Sequence, residues 1–366
     1  MPKWRLIAAL ALFATWQIHA EDSPPGDWTA PEVMEFGDWS VACDNARECT
    51  AVSVSRDYLK RIESVDPGDY AMPKLWVKRR AGPSQQPRVF VDGTVWGKVD
   101  PEPDVAALLV YYECDGDCTG RAYNLKRIES GRYELDPAQA AAFFAESVKT
   151  SRAATRHRNG AMHGIISTSG LTAAMRYIDE SQQRRDTVTA VYAKGKRQAI
   201  AVPPEPRRPT VKVVRGVEEP VPETYDYTTL NQKRGKYCPI FGGTNSDPPI
   251  QRFKLNNGQA LWAAGCGSNP HYEKRIWLIE TTDNQFKVFT LPRPEQGRPA
   301  ELPILPNSDF DPASGQITSY SGGMCGWRRR WAWTGSAFEM VDSIEMPACI
   351  DILPNQWLQT YRAIPE

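Results

Sequence analysis

The densest run of chemistry-bearing side chains is Trp327-Arg328-Arg329-Arg330-Trp331-Ala332-Trp333. The planar fork of arginine clamps carboxylates and phosphates through paired hydrogen bonds. Trp and Arg also dominate the energetics of protein interfaces. On a strand, Trp327, Arg329, Trp331 and Trp333 share one face, and Arg328 and Arg330 share the other. Two readings stand. Trp327, Arg328, Arg329, Arg330 and Trp331 form a binding patch, or the tryptophans are core and the arginines are a solvated edge that discourages strand pairing. Lys233-Arg234-Gly235-Lys236-Tyr237 either extends a basic patch or is a surface loop.

No catalytic set accompanies this run. Past the first twenty residues the histidines are His157, His163 and His271, and none sits at metal-ligand spacing to another. The chain has no Gly-x-Ser-x-Gly elbow. His163, Ser167 and Asp179 assemble into a triad on paper, but Ser167 reads more simply as the cap of a following helix. Glu113, Asp115 and Asp117 crowd one small loop, whereas glycosidase chemistry needs two carboxylates across a cleft. Their spacing also lacks an EF-hand's ligands. Gly242-Gly243 lacks the Lys-Ser or Lys-Thr of a phosphate loop. Cys114 and Cys118 have passable zinc spacing without a second pair or a nearby histidine. The expectation is no enzyme, no metal site and no cofactor.

The elements that would position these residues are mostly strands. Trp39, Val41 and Cys43 alternate with polar or small residues, the period-two pattern of a half-buried strand. Asp44-Asn45-Ala46-Arg47-Glu48 is a polar turn, and Cys49 opens the return strand. Leu75–Arg79, Arg88–Val91, Val105–Tyr112, Met162–Ile166 and Thr187–Ala193 add strands rich in β-branched and aromatic residues. Asp136-Pro137 starts a helix, with Asp as cap and Pro in the first turn. Ala140, Phe143, Phe144 and Val148 form its apolar stripe. A second helix carries Leu171, Ala174, Met175 and Ile178, with Arg176, Asp179 and Glu180 off the stripe. Later, Asn256-Asn257-Gly258, Asp283-Asn284 and Thr334-Gly335-Ser336 each join two short strands, as in a meander.

The fold expected is mainly β, α+β overall. A flexible arm (21–34) leads to a β-rich domain with two helices (35–198). A Pro-rich linker (199–223) then acts as a semi-rigid spacer, and an all-β domain (224–366) closes the chain. The first twenty residues read as a cleavable secretory signal: Lys3 and Arg5, then the apolar run Leu6–Trp16, which is too short to span a bilayer. All 8 cysteines follow it. An even count behind an export signal reads as disulfides, and proximity suggests Cys43–Cys49, Cys114–Cys118, Cys238–Cys266 and Cys325–Cys349. About 105 connectivities are possible for eight cysteines. The short 43–49 loop is worth ~2 kcal/mol. Without Lys3 and Arg5, 42 basic residues face 44 acidic ones, which argues against nucleic-acid binding. No later apolar run reaches membrane length.

Phe36-Gly37-Asp38-Trp39, Val41-Ala42-Cys43, Cys49, Cys114 and Cys118 resemble the invasion-associated locus B proteins, small exported β-rich proteins of proteobacteria. Ile166-Ser167 through Gly170-Leu171 and Ala174–Asp179 fit their closing helix. The longer pattern is similar to a family of exported proteobacterial proteins, domain-of-unknown-function family 1176. It includes Phe310-Asp311-Pro312, Gly315, Cys325-Gly326, Trp331-Ala332-Trp333-Thr334-Gly335 and Cys349. The resemblance implies a fold and a compartment and carries no catalytic residues. Trp327-Arg328-Arg329-Arg330 is more basic than that family leads one to expect. The functional expectation is a soluble periplasmic, non-enzymatic binding protein of the cell envelope that inhibits an exported hydrolase or toxin. The alternatives are a module that stacks tryptophans on peptidoglycan or another envelope glycan, and an enzyme of unrecognised type.

Overall fold

Trp39, Val41 and Cys43 enter the core with no exposure, and Trp39–Cys43 is a strand. The structure, a computed structural model, describes residues 33–54, 73–92, 104–238, 248–269, 272–293 and 303–366, with 116, 130, 161, 282–284, 324, 350, 351 and 353 excepted. The proposed signal, most of the arm, His271, the Gly242-Gly243 pair and the Asp283-Asn284 turn lie outside the described residues.

Ten antiparallel strands form the first sheet. They are β1 (Met34–Phe36), β2 (Trp39–Cys43), β3 (Cys49–Ser53), β4 (Lys74–Arg79), β5 (Arg88–Asp92), β6 (Val105–Asp115), β7 (Asp117–Glu129), β8 (Arg132–Leu135), β9 (Arg152–His157) and β10 (Met162–Ser167). Their order is β1-β2-β3-β4-β5-β8-β7-β6-β9-β10. The sheet curls until its ends meet: the Asp38 amide donates to the Ser169 carbonyl at 3.0 Å, and the Ser167 hydroxyl donates to Asp38 at 2.6 Å. Gly170 makes this seam possible. It has φ 95°, and a Cβ there would sit 1.8 Å from the Phe36 carbonyl oxygen, closer than any side chain tolerates.

Helices α1 (Ala140–Ser147) and α2 (Leu171–Ser181) cover one face of this sheet. Asp136 accepts from the Ala138 amide at 3.0 Å and starts the turn that leads into α1. Phe143, Phe144, Leu171, Met175 and Ile178 pack with Trp39, Leu75, Val110 and Tyr123. Val148, placed on the first stripe by spacing, is exposed at the helix end.

The second half is β apart from one helix. β11 (Thr210–Val211), β12 (Gly216–Glu219), β13 (Gln251–Leu255), β14 (Ala260–Asn269), β15 (Tyr272–Glu280), β16 (Phe286–Lys287), β17 (Ile304–Pro306), β18 (Ser308–Asp311), β19 (Gln316–Gly322), β20 (Gly326–Trp333), β21 (Phe338–Met346), β22 (Leu358–Arg362) and β23 (Ile364–Pro365) follow in order. A sheet of β12 to β16, joined by β17 on β15, faces a five-stranded sheet, β18-β19-β20-β21-β22. Between them lies a sandwich core of Trp277, Trp331, Trp333, Phe253, Phe310 and Phe338. The expected hairpins β13–β14, β15–β16 and β20–β21 all pair.

Three expectations change. The second half is not purely β, because Thr228–Tyr237 is a helix, α3, laid with Leu230 over the outer face of the first of these two sheets. Leu230 is its one buried residue, so the helix has too narrow an apolar stripe to be read from spacing. Lys233–Tyr237 therefore lies on a helix rather than a loop. Thr187–Ala193 is a set of turns, not a strand; its one ladder partner is a bridge from Thr187 to Arg197. The amides of Val191 and Tyr192 donate instead to the Asp179 carboxylate, at 2.8 and 3.3 Å. Finally, the Pro-rich segment is extended but held in place. β11 pairs in parallel with the last strand β23, and β12 joins the sheet beside β13.

The two halves touch. Ala42, Val52, Trp76 and Phe90, on the face of the first sheet away from the helices, form one apolar cluster with Ile344, Met346, Trp357 and Leu358. Disulfides Cys43–Cys49, Cys238–Cys266 and Cys325–Cys349 are formed. Cys114 and Cys118 stand opposite one another in the β6–β7 register.

Candidate functional site

Strand β20 carries the Trp/Arg run, and alternation sorts its side chains as expected. A bulge against β21 falls between Arg330 and Trp331. Trp331 and Trp333 are fully buried in the sandwich. Their indole N–H groups donate to the Pro292 carbonyl at 2.9 Å and to Gln259 at 2.8 Å. Trp327 is half-buried at the end of the same core. The Arg329 guanidinium lies 4.7 Å from the Trp327 ring centroid, and Arg329 is only 4% exposed. Trp331 and Arg329 thus leave the accessible set proposed from sequence, because the opposing sheet covers their face.

Arg328 and Arg330 point the other way and stay accessible. Both approach one carboxylate oxygen of Asp342, at 3.6 and 3.3 Å. Asp342 is mostly buried and accepts a further bond from Gln359 at 2.8 Å. Among the described residues no other carboxylate lies within ion-pair distance of either arginine. Across the β19–β20 ladder, Tyr320 stands opposite Arg328 and Thr318 opposite Arg330. Tyr320 is 47% exposed, and sequence reasoning missed it. Its signal was the alternation of Ile317, Ser319 and Ser321 around it, but only the register puts it beside Arg328.

Two of the groups weighed for catalysis, Ser167 and Asp179, are engaged elsewhere. Ser167 donates to Asp38 and does not cap α2, whose N-cap is Gly170. Asp179, expected on the solvent side of α2, is fully buried and pairs with Arg79 at 2.9 Å. Ser167 and Asp179 therefore serve different partners. Asp115 and Asp117 are opposite positions in the β6–β7 register. Among the described residues, no group of three or more His, Cys, Asp or Glu could hold a metal ion, and no helix is long and apolar enough to cross a membrane.

Two buried charge clusters escaped sequence reading. In the first, Arg79 donates to Asp179 and to the Thr189 carbonyl at 2.6 Å. Arg184 donates to Gln182 at 2.8 Å and Thr189 at 3.2 Å, and to the Gly82 carbonyl. Burial pushes the Asp179 carboxyl up against the pull of Arg79. Burial, with Arg184 nearby, pushes Arg79 down to about 9. In the second, the loop closed by Cys43–Cys49 is a socket for Arg362. The Arg362 side chain donates to Asp44 at 2.6 Å and pairs with Glu48 at 3.0 Å. Its backbone N–H donates to Asn45 at 2.8 Å, and its carbonyl accepts from Asn45 at 2.9 Å. Burial pushes the Asp44 carboxyl up, opposed by Arg362. The loop that carries the family-like motif is therefore an internal clamp between the halves.

Fold and strand together define a disulfide-stapled, mainly β protein that holds a cationic strip on a fixed sheet face. The chain belongs to the family described as protein of unknown function (DUF1176), whose model matches residues 33–364. It is similar to the uncharacterized protein YpfG of Escherichia coli (strain K12), 24% identical over 353 residues that cover 90% of this chain and 94% of that one. No solved structure matches the chain.

Proposed function

We propose that this is a non-enzymatic binding protein of the cell envelope, exported to the periplasm. Its target is another exported protein, a hydrolase or toxin, which it inhibits by covering its surface. One observation carries the reading: Arg328 and Arg330 share the single carboxylate of Asp342 on a rigid strand. Two cations answered by one anion favour a further carboxylate from a partner, and arginine supplies paired donors for it. Exposed Tyr320 beside them adds an amphipathic contact of the kind found at interface hot spots. The signal-like leader and the disulfides support export, as does the resemblance of the first half to exported proteins.

The test is capture. Oxidised protein (residues 21–366) is fixed on a resin beside an Arg328→Gln/Arg330→Gln variant, and envelope extract is passed over both. Glutamine keeps a donor for Asp342, and Arg329 stays in place because it is part of the core. One stoichiometric protein retained by the wild type and lost by the variant is the expected result. Glycan fragments alone, retained equally by both, would overturn it in favour of wall binding. Retention of nothing by either would remove the basis for a binding role and turn attention to activity screens.

A further inference from the structure

The loop that follows α2 holds an apolar tip in water on a rigid frame. Ile200 is 84% exposed and Val188 is 48% exposed. Inside the loop, Arg184 donates to the Gly82 carbonyl of the β4–β5 connection and to Thr189, whose carbonyl accepts from Arg79 on β4. The Val188 amide donates to the Arg197 carbonyl at 2.8 Å, which ties the loop's two arms together. Ala199–Ala201 is a single tight turn. The Val202 amide closes it on the Ala199 carbonyl at 3.0 Å, and the Val202 side chain is buried below. Ile200 cannot fold inward without breaking these bonds.

Cations share this loop with the tip. Arg185, Lys194, Lys196 and Arg197 are all exposed on this loop. The acidic groups on the same stretch are Glu180 at the end of α2 and Asp186. Glu180 pairs with Arg185 at 3.7 Å. Among the described residues, no carboxylate lies within ion-pair distance of Lys194, Lys196 or Arg197. A fixed apolar tip on a loop with three cations that no described carboxylate pairs is the chemistry of a surface that rests on anionic lipid. The apolar side chains sink below the headgroups, and the cations meet the phosphates.

We infer that the 184–202 loop docks the protein peripherally, without spanning, on an anionic lipid surface. This site is separate from the β20 strip and does not depend on its reading. Each basic residue close to an anionic leaflet is worth about fivefold in binding, so removing three costs about a hundredfold. Burial of one isoleucine is worth about tenfold or more.

The experiment is co-sedimentation of the full oxidised chain with vesicles of phosphatidylcholine, alone or mixed with phosphatidylglycerol. The expected result is binding to the anionic vesicles only, weakening as salt rises. Binding should fall about tenfold or more in Ile200→Asp and about a hundredfold in Lys194→Ser/Lys196→Ser/Arg197→Ser. Both variants change exposed side chains, so their melting curves should overlay the wild type. Arg328→Gln/Arg330→Gln should bind vesicles unchanged. No binding to anionic vesicles overturns the inference, as does equal binding to both vesicle types, or an Ile200→Asp variant that binds like the wild type. If vesicles fail and a purified acidic envelope protein binds in an Ile200-dependent way, the loop is a protein interface instead.

Discussion

Asp179→Ala is expected to cost about 3–5 kcal/mol, the largest single effect in the chain. Removing one partner of a buried pair leaves the other charge uncompensated, and here two guanidinium groups depend on one carboxylate. Arg79 and Asp179 have no exposed side-chain surface, and Arg184 is buried beside them. The same substitution orphans the part-buried amides of Val191 and Tyr192, which adds to the cost. Denaturant unfolding followed by tryptophan fluorescence measures the loss. Asp179→Asn should fall between the two, because it keeps an acceptor for the amides but no charge. A loss below about 1 kcal/mol for the alanine variant would mean that water fills the site and that the network does not hold the loop.

The second large effect is expected at the clamp. Arg362→Ala should lower stability by about 3 kcal/mol, because Asp44, with a fully buried side chain, loses its cation. The figure sits at the low end because Arg362 is itself 24% exposed and Glu48 keeps contact with water. The Asn45 bonds are to the Arg362 backbone and survive. Apolar contacts around Trp357 and Trp76 also remain, so the halves should loosen rather than part. Limited proteolysis at the β22–β23 end, with chemical denaturation, reads both consequences. Unchanged proteolysis and stability would show that the apolar cluster alone holds the halves. Arg362→Lys should recover part of the loss, since it restores charge without the paired geometry.

Both effects involve residues that sequence reading assigned to turns or to solvent. Asp179 stands four residues after Met175 and one after Ile178 on α2, so spacing already put it beside the apolar stripe. Its charge argued for the solvent side, and its cation lies 100 positions away on β4, beyond any local pattern. Asp44 and Glu48 were read correctly as turn residues, but what the turn grips is 318 positions distant. Helix α3 was missed because a disulfide and a sheet hold it, while its own sequence carries one buried apolar residue.

What the sequence determined by itself is local. Period-two alternation set the strands and the face each side chain takes, including Arg329 with the tryptophans and Arg328 with Arg330 on the opposite side. Turn residues placed the hairpins, and proximity paired three sets of cysteines. Tertiary structure alone decided what covers each face. The second sheet buries Trp331 and Arg329, one shared aspartate leaves Arg328 and Arg330 short of a partner, and the first disulfide loop closes on the end of the chain. The physical reason is range. Alternation and turn chemistry act over a few residues and fix direction, whereas burial and charge pairing depend on which distant segment arrives at that face.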